Sequence, residues 1–494
     1  MTIRLRTLRS AVLATAGLLV LESCSVNPAT GQRQLAMMSE AQEVETGRQA
    51  DREISAAYGL YDDPELQAYV ERVGLAIARQ TERPNLPWQI RVVDDPVVNA
   101  FALPGGFLYV TRGILGHFNS EAELASVLGH EIGHVTGRHS VEQMSKAQLA
   151  SVGFGVAMIA SEGMRRFGDL AQLGLNLLFL KFSRTHEKEA DDLGLRYLVN
   201  AGYDPRPMLD VFTTLDRVSA AAGAGRLPNW LSTHPNPEDR GRRLAAQIAQ
   251  LPAERQTTGR VERDPYLRRL EGLVFGENPR DGFFVENRFY HPEMAFQLTM
   301  PAGWQQENQR QAVISLRPEN DAAVILTLAA EGSPQEAARA FFSQQGIERG
   351  NAWRTNFHHF RTAPAVDAAG QAQQQLRGIV GFVSHQGRVL RLLGMSVAER
   401  WPQAERELAA ALASFGPLTD RRYLDVQPAR IRLVALDRPT TLAELARREG
   451  ATADLQQLAI LNGIAPETPL AAGRLVKLVH GGELPGGARP AGSR

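Results

Sequence analysis

"GHEIGHVTGRH", residues 129–139, puts three of the chain's eleven histidines and one glutamate within eleven positions. Upstream, Ser120 and Glu123 have the spacing of a capping box, which predicts a helix starting at 121 and running past His134. Residues four apart lie on one face of a helix. His130 and His134 therefore point the same way, as two metal ligands must. Glu131 lies about 100° around, beside a water that such a metal would activate. Leu124, Val127, Leu128 and Ile132 predict that the helix is buried. Unpaired imidazoles there would cost several kcal/mol, so a metal accounts for them better than a helix that merely carries histidines.

A catalytic zinc takes three protein ligands and keeps one position open. His139 cannot be the third at the H-x-x-G-x-x-H spacing, because it follows His130 by nine positions rather than ten and Gly137 is out of place. "RTHEKEADDLG", residues 184–194, offers Glu187, Glu189 and Asp191. Glu187 and Asp191 are i, i+4 and share a face, so one can bind the metal while the other orients a ligand histidine from behind. Glu189 points elsewhere. "LSTHPNPEDR", residues 231–240, adds His234, which Pro235 and Pro237 should hold in a fixed loop. His234 has three functional readings: a brake occupying the open metal position, a donor to the tetrahedral oxyanion, or the fourth ligand of a closed structural site. A loop histidine that only packs is the bland alternative.

Before the catalytic helix, "VVNAFALPGGFLYVTRG", residues 97–113, reads as strand, turn, strand around Pro104-Gly105-Gly106. Phe107, Leu108, Tyr109 and Val110 are expected to form an exposed sheet edge to which an extended peptide could add.

The 494-residue chain has zero formal net charge and an ordinary apolar share of 44%, which gives no sign of a nucleic-acid partner. Its basic residues are almost all Arg, with Lys only at 146, 181, 188 and 477. Arg4, Arg6 and Arg9 precede an apolar run, Ala11 to Leu21, too short for a full bilayer, which reads as an export signal over 1–24. The signal ends at Cys24, the sole cysteine, so no internal disulfide is possible.

Downstream the chain reads as an α+β multidomain protein. A tether over 25–34 leads to a mainly helical domain with a small β-sheet at 35–251 and a linker at 252–286. An α+β domain of unassigned role follows at 287–418, then a strand-helix-helix-strand module at 430–480 and a disordered tail at 481–494. Within the first domain, 147–182 is apolar and glycine-rich but too broken for a membrane span, and is expected to form buried or surface-docked helices.

Together "HEIGHVTGRH", "SRTHEKEADDLG" and "LSTHPNPEDR" resemble the gluzincin metallopeptidases of the CAAX-prenyl-protease and HtpX type, nearer to their soluble periplasmic BepA-like members. The resemblance covers about residues 27–250. It implies a zincin fold, one Zn2+ per chain, Glu187 as third ligand and Asp191 as a catalytic or orienting acid. "LESC" is similar to a bacterial lipobox, which implies lipidation of Cys24, and Ser25 after it implies the outer membrane. Residues 430–480 resemble a LysM module, which implies peptidoglycan as a partner. The expected function is an exported zinc metalloendopeptidase acting on misassembled envelope polypeptides, with Glu131 as general base. The rival is a non-proteolytic chaperone or cell-wall tether with a structural metal.

Overall fold

The computed structural model describes residues 24–153, 182–222, 230, 233–234, 237–364 and 374–485. The expected signal over 1–24, apart from Cys24, and most of the apolar stretch, 154–181, lie outside the described residues. No described helix is long and apolar enough to cross a membrane. The chain divides into two units, Met1–Phe275 with Arg430–His480 and Gly276–Ala429 with Gly481–Arg494.

The first unit opens with paired strands β1 (Cys24–Val26) and β2 (Arg33–Leu35), so the segment expected to be a tether is folded. Asn27, between them, is buried, and its Nδ2 donates to the Gly137 carbonyl (3.0 Å) and to Glu189 Oε1 (2.8 Å). Helix α1 (Glu40–Tyr58) starts in a capping box between Ser39 and Gln42, and α2 (Pro64–Ala78) starts behind an Asp63 cap with proline in its first turn. A three-stranded sheet follows, made of β3 (Gln89–Val93), β4 (Ala100–Leu103) and β5 (Phe107–Thr111).

The sheet order is β3-β5-β4. Strand β5 is therefore central, parallel to β3 and antiparallel to β4. This corrects the reading of Phe107–Val110 as an exposed edge. All five residues of β5 are buried. An unbroken apolar run, without the polar alternation of a half-solvated strand, is what a strand covered on both faces requires.

The short helix α3 (Arg112–His117) turns the chain into the catalytic helix α4 (Glu121–Thr136), which packs on α2, on β4 and on two later helices. After α5 (His139–Gly153) come α6 (Arg184–Asn200), α7 (Pro207–Ala222) and α8 (Pro237–Gln250). The stretch expected to be a linker, 252–286, also folds. Its helix α9 (Arg263–Arg269) buries Tyr266 and Leu267, and the Tyr266 hydroxyl donates to the Leu115 carbonyl at 2.7 Å. Residues 430–480 form strand Arg430–Ala435, helices Leu442–Glu449 and Leu455–Asn462, and strand Leu475–His480, with the two strands antiparallel.

The second unit holds a seven-stranded antiparallel sheet whose central hairpin is Leu376–His385 and Arg388–Val397. Helix Trp401–Ala413 buries Trp401, Ala404, Leu408 and Leu412 in a core with Phe296, Val324 and Leu392. Leu484, within the expected disordered tail, is buried in a satellite cluster of this unit, because an apolar side chain there reaches Phe283 and Tyr290. Residues 486–494 lie outside the described set.

The far end of α4 is held by Arg83, whose guanidinium bonds the Val135 carbonyl (2.9 Å) and both oxygens of the buried Glu43 (2.9 and 3.0 Å). Arg83→Met should destabilise the chain by roughly 3 kcal/mol, because it breaks a buried ion pair and leaves Glu43 only Arg138 as a cation. Urea unfolding should show a lower midpoint at an unchanged slope; an unmoved midpoint would count against this role.

Candidate metal centre

Helix α4 begins at a Ser120 cap whose hydroxyl accepts from the Glu123 amide at 3.2 Å. Only half of the expected box forms, because Glu123 Oε2 instead accepts from the Asn119 amide at 3.0 Å. All sixteen residues of α4 are buried.

The glycines around the histidines decide how close α6 can come. A Cβ on Gly133 would lie 2.8 Å from the Ala190 carbonyl oxygen, and one on Gly194 would lie 3.0 Å from the His130 nitrogen. Backbone packing at this separation brings Glu187 to the histidine face of α4. His134 Nε2 lies 3.1 Å from His130 Nε2, and Glu187 oxygens lie 3.5 Å from His134 Nε2 and 3.6 Å from His130 Nε2. His234 is there too, its Nδ1 2.9 Å from Glu187 Oε1 and 3.3 Å from His130 Nε2. One potential ligand atom from each of His130, His134, Glu187 and His234 lies within 4.8 Å of all the others.

This donor set fits a divalent transition metal. It offers imidazole nitrogens and one carboxylate converging in the interior, the ligand types zinc prefers. Burial drives His134 well below the ordinary histidine range, although Glu187 pulls the other way, so its imidazole is neutral as a ligand must be. Burial works to raise Glu187, but His234 and His134 outweigh it and hold the carboxylate well below its ordinary range. Glu131 Oε1 is buried and accepts no hydrogen bond. A buried carboxylate oxygen that accepts no hydrogen bond beside three imidazoles is costly unless a cation or a reacting group answers it.

Asp191 stands behind the ligands, its Oδ1 3.0 Å from His130 Nδ1, so it accepts that ring's N–H and fixes which nitrogen faces the cluster. Arg240 pairs with both carboxylates, Nη2 to Asp191 Oδ1 at 2.7 Å and Nη1 to Glu187 Oε2 at 2.8 Å. Burial opposes ionisation of Asp191, yet Arg240 and His130 bring it down to about 2. His139, rejected above as a ligand, serves His134 instead, with the two Nδ1 atoms 3.0 Å apart. Glu189 lies off the cluster, accepting from Asn27. Pro237 opens helix α8 rather than extending a loop, while Pro235 lies outside the described residues. Cys24 begins β1.

A family model described as Peptidase family M48 matches residues 64–248. The mitochondrial metalloendopeptidase OMA1 of Schizosaccharomyces pombe is 31% identical over 253 residues, covering 50% of this chain and 73% of that one. The chain belongs to peptidase family M48. The Arabidopsis thaliana OMA1 is 36% identical over 186 residues, covering 38% of this chain and 37% of that protein. The Escherichia coli β-barrel assembly-enhancing protease is 30% identical over 229 residues, covering 44% of this chain and 46% of that protein. The chain thus spans less than half the length of these last two relatives. Its helical domain is an M48 metalloendopeptidase domain.

Arg240 and His139 had no role assigned from sequence. Both stand in the motifs quoted above, but neither has a spacing that announces a partner. Within this M48 site, Glu187→Ala should lose the metal, whereas Glu189→Ala should keep metal content near wild type, since helical phase turns Glu189 away. Metal analysis of both variants checks the pair, and the reverse pattern would overturn the ligand assignment.

Proposed function

We propose that the protein is an exported zinc metalloendopeptidase that cleaves misassembled cell-envelope polypeptides, with His130, His134 and Glu187 as ligands. The observation that carries this reading is Glu131, fully buried beside the ligand set with an oxygen that accepts no hydrogen bond. A structural metal gives no reason for an unsatisfied carboxylate there; a proton shuttle does.

Zinc held by these residues would lower the pKa of the attacking water toward neutrality and polarise the scissile carbonyl. Glu131 takes the water's proton and returns it to the leaving amine. Burial raises the Glu131 carboxyl above its ordinary value, with His234 and His130 opposing, which makes it a better base than a solvated glutamate. Asp191 keeps the His130 ring in place, and Arg240 balances the charge of Asp191 and Glu187. With β5 paired on both sides, an extended substrate would add to β4, which pairs on one side only among the described residues and against which α4 packs.

The envelope setting is supported by the Arg-rich leader, by the lipobox-like end at Cys24 and by the likeness to a β-barrel assembly-enhancing protease. Lipid on Cys24 would anchor the chain to the outer membrane. Glu131→Gln should keep about one zinc per chain and the fold yet lose casein cleavage, because only the proton shuttle is removed. Cleavage at the wild-type rate would sink the mechanism.

A second reading has one observation in its favour: His234 completes a set of four protein ligands, the count of a structural site. The two are reconciled if His234 is a brake that holds the open position at rest. Its Nε2 also lies 3.6 Å from Glu131 Oε1, where it blocks the general base. His234→Ala should then cleave faster than wild type with zinc retained. A fall of roughly 10²-fold would mark an oxyanion donor instead, and loss of zinc with no cleavage by either protein would favour the structural site.

A further inference from the structure

Lys477 is one of only four lysines in a chain whose basic residues are otherwise Arg, and it is fully buried. It lies on strand Leu475–His480 of the C-terminal module, yet its ammonium is spent on the peptidase domain. Nζ donates to the Gly116 carbonyl at 2.8 Å and to the Phe118 carbonyl at 2.7 Å. These carbonyls belong to the corner between α3 and α4, two to four residues before the Ser120 cap. Phe118 is itself buried, so its carbonyl needs an internal partner.

The lysine is held as firmly as it holds. Asn462 brackets its backbone, accepting from the Lys477 amide and donating to the Lys477 carbonyl, both at 2.8 Å. Arg263 of α9 donates to the Leu475 carbonyl at 2.8 Å, and the Ile431 and Gly272–Leu273 backbones exchange two hydrogen bonds of 2.8 Å. Helix Leu455–Asn462 packs on α3 and α7.

A buried ammonium is expensive unless paired and hydrogen-bonded. Here two carbonyls supply the hydrogen bonds, and Glu123, in the first turn of the catalytic helix, attracts the ammonium electrostatically. Burial pushes Lys477 below the ordinary lysine range while Glu123 pulls it back, and Arg263 adds to the fall. Burial likewise pushes Glu123 above the ordinary carboxylate range, against the Asn119 amide and Lys477, with Asp210 adding to the rise. A planar, five-donor guanidinium does not replace a point ammonium between two converging carbonyls, which gives a physical reason for Lys at this position.

We infer that the C-terminal module braces the peptidase site of its own chain, with Lys477 positioning the start of the catalytic helix through the Gly116 and Phe118 carbonyls. The partner of this face of the module is the peptidase domain, which fixes the end of α4 opposite to that held by Arg83. The inference rests on the proposed peptidase activity only for its rate measurement; the exchange measurement below is independent of it.

The test uses full-length, metal-loaded protein. In Lys477→Met, which keeps side-chain bulk, amide hydrogen exchange from Gly116 to Glu123 should accelerate by about tenfold or more, the scale of a lost charge-assisted bond. On a peptide substrate kcat should fall by about tenfold with KM and metal content nearly unchanged, because a misplaced helix costs rate before it costs binding. Adding Glu123→Gln should recover part of both losses, since it removes a buried carboxylate that then faces no cation and keeps only the Asn119 amide and the Ser120 hydroxyl. Exchange and kcat at wild-type values in Lys477→Met would overturn the brace, and a double variant no better than the single would overturn the charge coupling. If wild type cleaves nothing, the peptidase reading fails while the exchange result still decides the brace. If Lys477→Met does not fold, wild-type exchange in mild urea decides instead. The amides of α4 and of Leu475–His480 should open in one cooperative step, and two separate openings would overturn the inference.

Discussion

Everything at the site depends on how closely α4 and α6 approach. Two helices normally pack 8–10 Å apart, a distance set by the side chains between them. Here Gly133 faces the Ala190 backbone and Gly194 faces the His130 backbone, with no room for a methyl group at Gly133. Removing side chains from the contact line lets a carboxylate on one helix reach two imidazoles on the other. Glycine inside a helix costs about 1 kcal/mol relative to alanine. α4 and α6 accept that cost at positions 129, 133 and 194, and what they gain is the convergence of His130, His134 and Glu187.

Close packing also concentrates charge in a place that repels it. Glu187, Asp191, Glu131 and Arg240 are all buried, together with three histidines. Arg240 makes the arrangement tenable, bridging Asp191 and Glu187 with a planar fork that suits two carboxylates at once. Its guanidinium also lies 5.1 Å from the ring centres of Trp230 and of Phe212, so its poorly hydrated faces are covered by aromatic surface. Trp230 in turn stacks on His234 at 4.8 Å. The segment carrying His234 is thus joined to the orienting residues through one tryptophan, and moving His234 disturbs the surroundings of Arg240.

The periodicity of α4 was readable because helical phase alone puts His130 and His134 on one face and Glu131 beside it. Glu187 and Glu189 were separable on the same ground. What the sequence did not disclose were contacts between segments far apart in the chain. Phe107–Val110 carries strand character, but its place in the sheet order depends on which strands join it, and β3 lies before the intervening β4. Polar composition made 252–286 look like a linker, although Tyr266 and Leu267 alone supply enough apolar surface to dock α9. The role of Arg240 required Asp191 and Glu187, 49 and 53 residues earlier, to be opposite it. Lys477 required a corner more than 350 residues away.

A helix that presents metal ligands must resist sliding along its axis, because a shift of about 1 Å is enough to spoil a catalytic geometry. Apolar packing resists this weakly, since one methyl slides past another at little cost. Hydrogen bonds from cations to specific carbonyls resist it strongly. In this chain α4 has one at each end: Arg83 on the Val135 carbonyl, and Lys477 on the Gly116 and Phe118 carbonyls just ahead of the cap. Both are buried, and Arg83 also pairs with the Glu43 carboxylate. The glycines let the ligand-bearing helices meet, and the two cations fix where along the axis they do so. That division of labour gives the C-terminal module a physical reason to be packed in the same compact unit as residues more than 300 positions before it.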